Sequence, residues 1–214
     1  MLKEACVENF TSIPYVINKG ADRIELNNNL TLGGTTPSYG VIKKAVTYAS
    51  NFHIPVIVMI RPRGGNFCYS ESEIEIMASD LEIAAKLGAQ GVTFGCLTSQ
   101  NHLDKVKMKR LISLARSLNI DVVMHMAFDA MPLTEQEDGL NWLANNGVKR
   151  ILTHGGELST PVLNTISHLK EIINWANGKI EILPGGGITA KNSTLIAERL
   201  QVDQLHGTKI VECN

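Results

Sequence analysis

Short β-branched runs alternate along the chain with longer stretches of helical period. The apolar runs predict strands over residues 2–7, 23–27, 55–60, 91–94, 121–126, 150–153, 180–183 and 203–206. Between them, apolar positions recurring every three or four residues predict helices over 10–19, 39–50, 71–86, 105–118, 134–145, 161–175 and 191–200. The punctuation agrees. Thr160-Pro161 offers a cap followed by proline in the first turn, and Gly20, Gly88, Gly147 and Gly178 stand just past helix ends. Strict strand–helix alternation predicts a parallel sheet with right-handed crossovers.

A recurring phrase narrows the topology. Residues 19–26, 87–94 and 146–152 each run from a helix-ending glycine through a small apolar residue and a polar pair into a strand. The phrase precedes the second, fourth and sixth strands, with a looser copy at 200–203 before the eighth. A motif returning every second strand predicts a closed (β/α)8 TIM barrel over residues 1–214, because alternate strands fill its interior layers. The alternative is an open doubly wound sheet. That fold advertises G-x-G-x-x-G after its first strand, and Cys6-Val7-Glu8-Asn9 is not that. Only residues 207–214 follow the eighth strand, too few for a regular eighth helix. The resulting seam is covered by the tail, covered by another subunit or left exposed; exposed apolar surface of that kind predicts a homo-oligomer.

Composition removes several classes of partner. Of 214 residues 44% are apolar and 19% charged, with net charge −1. Without a basic tail or stripe there is no reason to expect nucleic acid or an anionic membrane as partner. The N-terminus lacks the apolar core of a signal peptide, and no run approaches the ~20 apolar residues that cross a bilayer. The expectation is a cytoplasmic globular protein. Cys6, Cys68, Cys96 and Cys213 follow no C-x-x-C spacing and are expected as free thiols.

Chemistry in such a barrel gathers at the C-terminal ends of the strands. Those positions hold Glu4, Cys6 and Glu25, then Arg61 and Arg63, then His125 and Asp129, and finally His206. In Arg61-Pro62-Arg63-Gly64-Gly65 two arginines and two glycines are released where a strand ends. Arginine suits bidentate capture of carboxylate or phosphate, and glycine lets backbone N–H groups come close. The plainer reading is a turn whose arginines pair with nearby acids, Glu4 and Glu25 among them. Gly185-Gly186-Gly187 precedes a helix after the seventh strand, a place where barrels often bind phosphate. For catalysis the candidates are Glu25, His125 and Asp129 as acid or base, although Asp129 is equally suited to cap the following turn. Lys209 is the one lysine near a strand end, which disfavours Schiff-base chemistry. Met124-His125-Met126, read as strand, puts the imidazole on the face opposite both methionines. Cys6 is the candidate soft-metal ligand.

Several of these segments together resemble one family. They are Gly20–Leu26, Gly33–Ser38, Met59–Gly65, Phe67–Ser70, His125 with Ala127-Phe128-Asp129, and Pro184–Ile188. The set is similar to the CutC family, and the likeness runs from Glu4 to about His206. It implies a cytoplasmic TIM barrel concerned with copper homeostasis, binding copper through cysteine and without an established catalytic activity. Three positions depart from the family pattern. Asn27 stands where the family carries a second cysteine, Met126 where it usually has arginine, and His154 where it typically has serine. Two functions follow as expectations: a protein that holds Cu(I) through Cys6, or a barrel enzyme acting on an anionic or phosphorylated small molecule at an Arg/Gly-lined mouth.

Overall fold

The computed structural model describes residues 1–212, so Cys213 lies outside the described residues. Eight strands alternate with seven helices. The strands are β1 Leu2–Glu8, β2 Arg23–Asn27, β3 Val56–Met59, β4 Gly91–Phe94, β5 Asp121–Met124, β6 Arg150–Thr153, β7 Glu181–Pro184 and β8 Gln204–Gly207. The helices are α1 Ile13–Asn18, α2 Tyr39–Ser50, α3 Glu71–Lys86, α4 Lys105–Ser117, α5 Leu133–Asn145, α6 Ile166–Ala176 and α7 Ser193–Leu200. All ladders are parallel, in the order β7-β6-β5-β4-β3-β2-β1-β8. Because β1 pairs with both β2 and β8, the sheet curls round until β7 and β8 face each other. Among the described residues no ladder joins those two. A single parallel bridge, Thr189 to Lys209, ties them just beyond the strand ends. The barrel is nearly closed.

Local chemistry accounts for most boundaries. The N-terminus of α3 is a reciprocal cap: the Ser70 hydroxyl accepts from the Glu73 N–H, and the Glu73 carboxylate accepts from the Ser70 N–H at 2.7 Å. Its buried positions Ile74, Met77, Leu81 and Ala84 step by three or four residues, the period that lays one face on the sheet. Three expected elements come out differently. The helix expected over 10–19 shortens to Ile13–Asn18, because Asn9 adopts φ +63° and Pro14 sits in the first turn. Pro161 leads into a 3₁₀ turn, Val162–Asn164, and α6 begins only at Ile166. The fifth strand stops at Met124, and Met126–Ala130 winds into a 3₁₀ turn capped by His125.

Alternation along the strands builds two cores. Outward residues such as Val7, Ile24, Val58, Phe94 and Leu205 join the helices in the main cluster. Inward residues Ile57, Val123, Leu152 and Leu183 form a second cluster inside the barrel, with Met126 packed on it. Burial on both faces is why the strands read as continuous apolar runs.

No helix follows β8 among the described residues. Ile210 and Val211 are buried instead, and the Tyr15 hydroxyl on α1 donates to the Glu212 carbonyl at 2.8 Å. The chain thus covers its own seam.

Candidate functional site

Ile57, Val123, Leu152 and Leu183 make one side of the interior apolar, the β8-β1-β2 side is polar, and Arg150 paired with Glu181 extends the polar belt to β6 and β7. The register places Glu4 beside Arg23 and His206, and Cys6 beside Glu25. Glu4 receives a charge-assisted bond from Arg23 Nε and a second from His206 Nδ1 at 2.8 Å. Arg23 also donates to Gln204 at 2.9 Å, and Gln204 to Glu181 at 3.2 Å. Above this belt stand Cys6, Glu25 and His206, whose ligand atoms all lie within 4.8 Å of one another. The Cys6 thiol donates to Glu25 Oε1 at 3.7 Å, and Asn27 Nδ2 donates to both the sulfur at 3.4 Å and that carboxylate oxygen at 3.0 Å. Every member is buried.

Burial and charge set the protonation of this cluster. Burial alone would raise the Glu4 carboxyl, but the hydrogen bond and charge of His206, with Arg23 beyond, hold it down to about 2. Burial would strip His206 of its proton, yet Glu25, Cys6 and Glu4 raise its pKa well above 6.5. Glu25 is pushed up by burial, and the charge of Glu4 adds to that. Cys6 is pushed up by burial and held as a thiol. The resting cluster is therefore an ionised Glu4 against a cationic His206, with Glu25 and Cys6 inclined to keep their protons.

These residues form one wall of a cavity of about 760 Å3 that opens at the C-terminal ends of the strands. His125 and Asp129 also reach it. His125 Nδ1 accepts from the Ala127 N–H at 3.1 Å, and burial with the nearby Arg61 charge lowers its pKa to about 3. Its ring is neutral, packs on Phe67 at 4.9 Å, and has its Nε2 buried without a partner. It shares the cavity with Met126, correcting the expectation that the two face opposite ways. Asp129 is raised by burial and bound by the Thr153 hydroxyl at 2.5 Å and the N–H groups of His154 and Gly155 at 2.9 and 3.0 Å. It pins the loop after β6.

The arginines after β3 are engaged by the protein itself. Arg61 lines the cavity, but its terminal nitrogens donate to the carbonyls of Leu32, Gly34 and Gly65 at 2.9, 2.9 and 2.7 Å. Arg63 pairs with Glu73, donates to three carbonyls of its own loop and lies over Tyr69. Neither arginine meets Glu4 or Glu25. Arg63, Gly64 and Gly65 stand outside the cavity wall. Their loop is a brace for the mouth, because a Gly-rich loop has more carbonyls than N–H partners and guanidinium has donors to match. Of the glycines after β7, Gly186 and Gly187 line the cavity, while Gly185 packs so closely that an added Cβ would lie 3.1 Å from His206 Cδ2. Arg23 and Gln204 escape the sequence reading, although Arg23-Ile24-Glu25-Leu26-Asn27 and Gln204-Leu205-His206 alternate as a polar lumen requires.

Residues 1–211 match the sequence model of the CutC family. The chain belongs to the CutC family. A CutC family protein from Enterococcus faecalis is 50% identical over 211 residues, covering 99% of this chain and all of that one. The human copper homeostasis protein cutC homolog is 40% identical over 205 residues, 96% of this chain and 72% of its own. A crystal structure from Streptococcus agalactiae, described as a copper homeostasis protein CutC, superposes with a TM-score of 0.94 at 42% identity, covering 99% and 100%. No helix among the described residues is long and apolar enough to cross a membrane.

The donor set can be tested against the copper in that family's name. Thiolate and imidazole both suit copper, and Cys6 and His206 supply one of each. His206 is tethered through Nδ1 to Glu4, which leaves Nε2 toward Glu25 at 4.0 Å, as outer-shell carboxylates hold metal-binding histidines. The residues fit. The Asn27 amide donates to the Cys6 sulfur, and His206 is the nitrogen donor nearest to hand.

Proposed function

We propose that this protein serves copper homeostasis by taking Cu(I) as cargo inside the barrel, on Cys6 and His206. What carries the reading is the convergence of thiol, carboxyl and imidazole on one buried wall, with the imidazole already oriented by Glu4. Binding needs the Cys6 thiolate and a neutral His206, so the ion displaces a proton from each, and both protons leave to solvent. Affinity accordingly rises with pH. The reducing cytoplasm, where Cys6 stays a thiol, is the compartment this chemistry suits. Anaerobic titration of Cu(I) against a competing chelator tests the assignment. Cys6→Ser and His206→Gln are each expected to weaken binding strongly; wild-type affinity in both variants would reject this site.

A further inference from the structure

A single ion leaves most of the cavity unused. Its volume, about 760 Å3, falls in the range that holds small organic molecules. Below the mouth its walls include Met59, Phe67, Met126, Leu152 and Ile188. The rim is built differently. The loops after β7 and β8 are fastened to each other by the Thr189–Lys209 bridge and by the Ala190 N–H donating to the Lys209 carbonyl at 2.7 Å. On this joined wall Gly186 and Gly187 hold φ +78° and +70°, and their N–H groups meet no acceptor within the described protein. Thr208 and Lys209 stand beside them on the rim. Deeper in, His125 Nε2 and Arg61 Nε are buried without partners. Since His125 Nδ1 accepts a hydrogen bond, Nε2 carries the hydrogen and is a donor in want of an acceptor.

We propose that the cavity binds a small phosphate ester, with the phosphoryl group on the rim and the carbon skeleton running down the apolar wall. The Gly186 and Gly187 amides, the Thr208 hydroxyl and the Lys209 ammonium give four donors from two loops, which suits the three oxygens of a phosphoryl group better than a planar carboxylate. An oxygen on the skeleton then satisfies His125 Nε2–H. Of the acids lining the cavity, Glu25 lies in the buried cluster, Asp129 is held by Thr153, His154 and Gly155, and Glu157 stands on the loop after β6, so the anion is assigned to the β7–β8 side. The proposal stands on the cavity and its unpartnered donors and does not depend on copper.

Glycerol 3-phosphate is the probe, added to the full-length protein and followed by amide and histidine-ring nitrogen–proton spectra. The expected result is a saturable shift of the Gly186 and Gly187 amides and of the His125 Nε2 signal, absent with glycerol and weaker with glycerate. Lys209→Gln, an exposed change, is expected to weaken binding roughly tenfold or more while leaving the Cu(I) titration unchanged. Absence of a saturable shift, a shift confined to other residues, or wild-type binding in Lys209→Gln would overturn the site. Tighter binding of glycerate would overturn the phosphoryl assignment.

Discussion

Glu4→Gln keeps the shape of the side chain and removes the charge shared by Arg23 and His206. In the fold that carboxyl lies at about 2 against an ordinary 4.5. The depression corresponds to about 3 kcal/mol of stability, at about 1.4 kcal/mol per unit. Because the folded value is the lower one, this stabilisation is complete above about 4.5 and is lost as the pH falls through about 2. His206 has the opposite sign: its raised pKa stabilises below 6.5, and that contribution is lost as pH rises through the folded value. Near pH 7 the carboxylate contribution is fully present. Urea unfolding of wild type and variant, at pH 7 and stepwise down to pH 3, isolates it. The variant is expected to be about 3 kcal/mol less stable at pH 7, with the gap closing to about 1 kcal/mol near pH 3. A gap that stays constant across this range, or widens in acid, would assign the cost to packing and refute the electrostatic account.

Other expected outcomes use the same interior. Since Glu4 orients His206, Glu4→Gln should also lower Cu(I) affinity by roughly 10- to 100-fold, read by chelator competition; an unchanged value would separate the two residues. His125, lowered to about 3, should show no titration between pH 5 and 8 in histidine proton spectra, and a midpoint near 6.5 would contradict its burial against Arg61. Gly185→Ala places a methyl 2.7 Å from Leu152 Cδ1 and 2.9 Å from Met126 Cε, and should cost about 1–3 kcal/mol in urea unfolding. Arg61→Met leaves the carbonyls of Leu32, Gly34 and Gly65 without their donor and should destabilise by about 3 kcal/mol or more, whereas a neutral result would deny the brace.

The barrel was legible because each strand carries its own period and each helix its own stop. Arg23–Asn27, Gly91–Phe94 and Arg150–Thr153 coincide with their expected spans, since glycine or a polar pair bounds them locally. Cys6, Glu25 and His206 were legible as strand-end residues, but their meeting depends on β8 returning beside β1, a closure no local window contains. What the arginines do was hidden for a related reason. Arg61 is spoken for by carbonyls from residues 32 and 34, on a loop nearly thirty residues earlier. His125 misled because strand periodicity was carried two residues past the point where the chain winds into a 3₁₀ turn. Arg23 and Gln204 follow the polar alternation but stand at the start of their strands, far from the mouth to which the strand-end rule points.

The cavity of this barrel is two-sided: Met59, Met126 and Leu152 share it with Cys6, Glu25 and His206. Such a lumen acts as a sorting field across a few ångströms. A solute with one oily and one polar end lowers its energy in a single orientation, before any specific bond forms. A bare ion has only one side to which it can go. Selectivity here begins with the polarity of the walls, and the individual ligands refine what that asymmetry has already aligned.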